Sequence, residues 1–253
     1  MNLKLIACKV LFREISLIAA DLSHIIDVTY ISREFHNTPE KLRELLQAEI
    51  DAVESGNDIR TMNTQTHPLD AILLGYGLCS NSIVGLKSRK YPLVVPRAHD
   101  CVTLLLGSKE RYREYFNAHK GVYWYTKGWI DNSPMPSKER YKTAYASYVE
   151  RFGEDNADYL MEMEQGWMKE YNWAAFVDWP RFDNTAAQQY TKDCADFLGW
   201  SYDCLTGSDS LLRDFLCGEW DHERFLVIQP GQEIQPSYDE SIVRLQPSAG
   251  TQE

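Results

Sequence analysis

The chain has 253 residues, 44% of them hydrophobic, enough to bury a core as one large domain or as two compact lobes. Its 26 Lys and Arg stand against 37 Asp and Glu, and the net charge of -11 argues against nucleic acid or an anionic membrane as a partner and for a small molecule. The opening MNLKLIACKVL has neither a signal-peptide pattern nor the roughly 20 apolar residues of a membrane span, so the expected location is the cytoplasm, where cysteines stay reduced.

Residues 3–7 form a short apolar run that suits a buried strand, and Val10, Leu11, Ile15 and Ile18 then recur at helical spacing. A second strand is expected over 26–31. Thr38 followed by Pro39 reads as a helix start, with Leu42, Leu45, Leu46, Ile50 and Val53 on one face. The polar stretch 55–68 reads as a surface loop. Strand 71–74 runs into GYGLCSN, where Gly75 and Gly77 permit a tight turn, and a helix is expected to begin over 82–87. Strand 93–95, a loop at 96–100, a helix over 101–116 re-capped at Ser108, and strand 122–125 follow.

Alternating strands and helices predict a doubly wound, Rossmann-like α/β fold with a parallel sheet. Residues 1–130 form the expected first lobe. Residues 131–231 are expected to hold a helical segment, broken near Gly153 and Asp155, and a smaller α/β lobe with strands at 174–177, 202–205 and 225–228 and helices at 185–198 and 210–216. Residues 232–253 read as a polar tail. Asp100-Cys101-Val102-Thr103 and Asp203-Cys204-Leu205-Thr206 look alike, but four positions are too few to establish a duplication.

Ligands of open parallel sheets bind beyond the carboxyl ends of the strands. Cys8 directly follows the first strand, Cys79 the third, and His99 and Cys101 the fourth, so three loops are expected to deliver three thiols and one imidazole to one edge. Thiolates and imidazole are ligand types of zinc, and three cysteines also hold a [4Fe-4S] cluster with one open iron. His99 and Cys101, two apart, share a side of an extended loop. Zinc is favoured because His99 beside three thiols completes a tetrahedral set, although the standard zinc spacings are absent. Buried cysteines are otherwise ordinary core residues, which accounts for Cys194 and Cys217 and leaves Cys204 open.

Arg97 shares the loop of His99 and is placed to pair with a substrate carboxylate or phosphate; a solvated surface role is the alternative. Gly75 and Gly77 are candidates for cradling an anionic cofactor, though GYGLCSN is neither a dinucleotide fingerprint nor a P-loop. His36, ahead of a helix start, either reaches a site or lines a loop. Trp124, Trp129 and Trp167 are expected to pack between lobes rather than to stack a ligand.

IACKVLFREI, GYGLCSNSIVGL, PRAHDCVTLLLGSKERYREYF and YLMEMEQGW, spread from Met1 to about Gly231, resemble the domain-of-unknown-function 1638 family (DUF1638) of bacteria and archaea. Asn81-Ser82 stands where Gly-rich sequence is expected in relatives. The resemblance implies that Cys8, Cys79, His99 and Cys101 are characteristic residues, and it implies an association with corrinoid-dependent methyltransferase systems. The expectation is a metal-dependent enzyme acting on a small methylated or sulfur-containing substrate, with Cys8, Cys79 and Cys101 as ligands and His99 as fourth ligand or general acid/base. The alternative is a non-catalytic accessory protein that binds metal, corrinoid or a small ligand for a methyltransferase, with a corrinoid protein or methyltransferase as partner.

Overall fold

A computed structural model describes residues 1–57, 68–79 and 81–246. The chain runs through β1 (Asn2–Cys8), α1 (Phe12–Ala20), β2 (Ile25–Ile31), α2 (Pro39–Ser55), β3 (Ala71–Gly75), β4 (Leu93–Pro96), α3 (Cys101–Leu106) and α4 (Lys109–Ala118). Then come β5 (Val122–Thr126), α5 (Lys127–Asn132), α6 (Lys138–Phe152), α7 (Glu154–Gln165), β6 (Trp173–Asp178), α8 (Thr185–Leu198) and β7 (Ser201–Thr206). It closes with α9 (Ser210–Cys217), β8 (Phe225–Ile228), β9 (Ile234–Pro236) and β10 (Val243–Leu245). Among the described residues no helix is long and apolar enough to cross a membrane.

The fold is α/β with mostly parallel sheets, in two compact units. The first unit comprises Met1–Lys109 and Ser208–Glu253 and holds a five-stranded sheet in the order β2-β1-β3-β4-β8. Its first four strands are parallel and β8 is antiparallel to β4. Leu3 through Cys8 are all buried, the continuous pattern of a strand covered on both faces. The one charge in that run, Lys4, lies opposite Asp27 of β2 in the register and pairs with it at 3.1 Å. α2 starts on Pro39, as expected, and stops at Gly56, whose left-handed backbone (φ 71°) ends the helix without the cost of a Cβ. The second unit, Glu110–Gly207, is built on three parallel strands in the order β5-β6-β7, with a core of Tyr125, Phe176, Ala187, Cys194 and Trp200.

Several boundaries differ from the sequence reading. Strand 122–126 pairs with β6 and so belongs to the second unit, whereas β8 returns to the edge of the first sheet beside β4. Periodicity identifies a strand but not the sheet it joins. Residues 82–87 are turns rather than a helix, because their backbone is engaged laterally: Gly85 N–H donates to Ile234 O and Leu86 O accepts from Ile234 N–H. Only the ends of the expected loop 55–68 are described; residues 58–67 lie outside the described residues.

The expected polar tail instead contains the antiparallel pair β9-β10, with Ile234, Ile242 and Val243 buried; residues 247–253 lie outside the described residues. Arg97 holds this segment in place. Its Nε donates to His222 O at 2.8 Å and Phe225 O at 3.3 Å, and its NH1 donates to Ser241 O at 2.9 Å and to Val243 O. The guanidinium expected to meet a substrate is therefore spent on four carbonyls of its own chain. Arg97→Ala is expected to cost about 2–3 kcal/mol. Amide hydrogen exchange should quicken at Ile234–Pro236 and Val243–Leu245 and stay slow in β1, and Arg97→Lys should recover less than half of the loss, because one ammonium lacks the two-ended fork.

Candidate functional site

Each of the first four parallel strands contributes a loop to the same edge. β1 ends at Cys8, only 1% exposed, as the chain turns into the short helical turn Lys9–Leu11. The loop after β2 forms another short turn, Arg33–Asn37, that brings His36 Nε2 to 3.4 Å from Cys8 Sγ. Tyr76 follows β3 and is 1% exposed, its ring stacked on that of His36 with centroids 6.1 Å apart. Cys101, 2% exposed, opens α3, which is capped by Asp100: its carboxylate accepts from Val102 N at 3.0 Å and Thr103 N at 3.1 Å.

The loops after β3 and β4 lie directly against each other. Leu78 N–H donates to Ala98 O at 2.8 Å and Cys79 N–H to His99 O at 3.0 Å. Glycine makes this approach possible: a Cβ on Gly77 would lie 2.6 Å from Asp100 N, and one on Gly75 would lie 2.7 Å from Ala7 Cβ. Cys79 and Asn81 both take left-handed backbone, at φ 44° and 64°. Asn tolerates that region better than most residues, which suits Asn81 to its position.

Burial sets the electrostatics. It pushes the Cys8 thiol up to about 11, against the opposing pull of the Val10 backbone N–H and the Arg33 charge. It raises Cys79 further, helped by the Asp100 carboxylate and Cys8, although the Gly77 and Cys101 N–H groups donate to its sulfur. His36 is driven down to about 4, first by burial and then by Arg33. Tyr76 is raised well above the usual phenol range by burial, and charge on Cys8, Cys79 or Cys101 would raise it more, so its hydroxyl lies within electrostatic reach of all three sulfurs. Among the described residues that buried hydroxyl has no hydrogen-bond partner.

Charge on Cys8, Cys79 or Cys101 would thus be felt at Tyr76, while the His99 side chain is exposed and His99 O accepts from Cys79 N–H. His36 occupies the imidazole position beside Cys8. Among the described residues no group of three or more His, Cys, Asp or Glu side chains is arranged to hold a metal ion as they stand. Arg97 is directed to the β9-β10 segment, and Gly75 and Gly77 have packing reasons for lacking a Cβ. In the second unit Trp124 packs against Tyr112 and Tyr115, Trp167 against Tyr123 and Tyr171, and Trp129 on the core.

The profile of the family described as protein of unknown function (DUF1638) matches residues 30–216, well over half of the chain. The chain belongs to the DUF1638 family. The DUF1638 match takes in His36, Tyr76, Cys79, His99 and Cys101, and Cys8 precedes it. Searches of curated proteins and of solved structures gave no match.

Sequence reasoning weighed His36 without placing it, and passed over Tyr76 inside GYGLCSN. The available signal for His36 was its place after the second strand, on the edge already assigned to the cysteines. The neutral His36 ring makes a pH prediction. Its folded value, about 4, lies below the ordinary 6.5, so the unfolded chain takes up the proton first as pH falls. The contribution is present in full above about pH 6.5 and fades towards pH 4, a loss of about 3 kcal/mol. Denaturant titrations of metal-free protein from pH 7 to 4 should show it, and His36→Gln should flatten that part of the profile.

Proposed function

We propose that this DUF1638 protein is a metal-dependent enzyme acting on a small methylated or sulfur-containing molecule. In this reading Cys8, Cys79 and Cys101 supply thiolates to zinc or an iron–sulfur cluster, and His36 supplies the imidazole that the sequence reading gave to His99. The observation that carries the reading is the buried pair of Cys8 and His36, Nε2 3.4 Å from Sγ, on the sheet edge to which the loops after β3 and β4 bring Cys79 and Cys101.

The rival chemistry for such a pair is a cysteine nucleophile activated by histidine, and the magnitudes oppose it. With Cys8 near 11 and His36 near 4, moving the proton from sulfur to nitrogen is uphill by on the order of 10 kcal/mol. Attraction between the resulting charges at 3.4 Å returns only about 5 kcal/mol at an effective dielectric constant of about 20. The pair stays neutral, and a neutral thiol is a poor nucleophile. A neutral imidazole, however, is the form that binds metals, and a coordinated metal displaces the thiol protons that burial otherwise retains. When bound, zinc or an open cluster iron would supply Lewis-acid activation of a substrate sulfur or oxygen.

The fold reading that accompanies this proposal is a doubly wound, Rossmann-like first unit. The order β2-β1-β3-β4 supports it, since it places Cys8 and Tyr76 at the junction of β1 and β3, where such sheets open for ligands. A cytoplasmic setting and a corrinoid protein or methyltransferase as partner belong to the same proposal. A second reading, an accessory metal- or ligand-binding protein, is favoured by the near-complete burial of Cys8 and Cys101, as in closed structural sites.

Purification without oxygen, followed by metal and sulfide analysis, tests the reading. About one zinc per chain, or about four irons with four sulfides, is expected. Cys8→Ala and Cys101→Ala should lose it, and His36→Ala should weaken retention tenfold or more while His99→Ala leaves it unchanged. Wild-type protein that holds no stoichiometric metal after anaerobic supply of zinc, or of iron and sulfide, would refute the proposal.

A further inference from the structure

In the second unit α6 and α7 are joined by Gly153 alone and run antiparallel, tied by Tyr148 to Glu164 at 3.0 Å and by Arg140 to Glu164 at 3.7 Å. No residue of α6 is buried, and in α7 only Ala157 and Met161 are. Yet α6 carries Tyr141, Tyr145, Tyr148 and Phe152, a spacing of four, three and four that sets four aromatic rings on one side of the helix, the seam pattern of packed helices. The rings of Tyr141 and Tyr145 stack with centroids 6.3 Å apart, and those of Tyr148 and Phe152 lie at the same distance. On α7, Tyr159 and Met163 are one turn apart and 63% and 64% exposed. Aromatic residues are poor helix formers, and helices of this length take most of their stability from packing, so an aromatic helix with nothing buried is short of a partner.

The two helices also differ in charge. α6 carries four basic and two acidic side chains, α7 five acidic ones and no basic one. Two copies of such a hairpin are complementary about a twofold axis running along the helices, because α6 of each then lies antiparallel over α7 of the other, as in a four-helix bundle. We propose that the α6–α7 hairpin is a homodimer interface, its occupant a second copy of this chain, with the aromatic stripe of α6 and Tyr159 and Met163 of α7 at its centre. Lys142 and Glu162 are nearly equidistant from Gly153, so the pairing sets Lys142 of one copy level with Glu162 of the other. A face about 22 Å long and about 20 Å wide on each copy gives about 900 Å² in all, near the lower bound for a specific interface, so the dimer is a weak one. The net charge of -11 opposes association, but at physiological salt its reach is only about 8 Å and the local pairing decides.

Sedimentation equilibrium of the full chain should show monomer and dimer exchanging with a micromolar Kd. Amide exchange in Lys138–Phe152 and Glu154–Gln165 should slow as the concentration rises through that range, with β1 unchanged, a readout that needs no variant. Phe152→Ser combined with Met163→Ser, both at exposed positions, should weaken the dimer about tenfold or more while helicity is kept. Lys142→Glu and Glu162→Lys each set like charges across both halves of the interface and should each weaken self-association about tenfold, whereas an equal mixture of the two variants should form a heterodimer of wild-type strength. A wild type that stays monomeric to about 200 µM leaves this face to a different protein and overturns the proposal. So does a dimer that the serine substitutions leave intact, or a mixture that associates no more tightly than the single variants.

Discussion

The close approach of the loops after β3 and β4 is the constraint on which the site depends. Two backbone hydrogen bonds, from Leu78 to Ala98 and from Cys79 to His99, extend the strand pairing past the end of the sheet. They form only because Gly77 lets one backbone run against that of Asp100. Once the loops are locked, Asp100 caps α3, Cys101 becomes its first residue, and the N–H of Cys101 is presented to the Cys79 sulfur. Cys79 accepts a left-handed backbone at φ 44° to meet this geometry. A non-glycine residue in that region carries strain of order 1 kcal/mol, and here the surrounding hydrogen bonds determine it.

Burial does the second part of the work. Packing Cys8, Cys79 and His36 beside a parallel sheet removes the water that would support their charged forms, so these two thiols keep their protons and the imidazole stays without one. Cys8, Cys79 and His36 are neutral in this setting. The same dryness that silences the thiols would strengthen each electrostatic contact made to an incoming ion, and Arg33 tilts the local field towards accepting negative charge alongside it.

The strands and helices were largely legible, because the buried runs of β1, β3 and β4 and the single apolar face of α2 follow directly from burial on two sides or one. Sheet membership was not: β5 and β8 read alike as short apolar strands, and only tertiary pairing assigns one to each sheet. The placement of the cysteines at one edge was legible from topology. The choice of histidine was not, since the two-residue spacing of His99 and Cys101 implies a shared side only in an extended loop. The chain turns helical at Cys101, so His99 is exposed and Cys101 buried. Tyr76 escaped notice because an apolar-looking aromatic between two glycines carries no sequence mark of an unsatisfied hydroxyl.

The resemblance between Asp100-Cys101-Val102-Thr103 and Asp203-Cys204-Leu205-Thr206 bears on whether the chemistry is duplicated. In the first unit the segment is a helix start, with Asp100 accepting from the next turn and Cys101 enclosed. In the second it lies within strand β7, where Asp203 accepts from the Tyr115 hydroxyl at 2.9 Å and Cys204 is exposed. The same four residue types therefore serve different backbones, and the likeness is one of composition. A helix cap followed by a buried thiol is found at Asp100 and Cys101 and not at Asp203 and Cys204. The cysteines proposed as ligands lie at the ends of β1, β3 and β4 in the first unit, and the aromatic core of the second unit answers to packing.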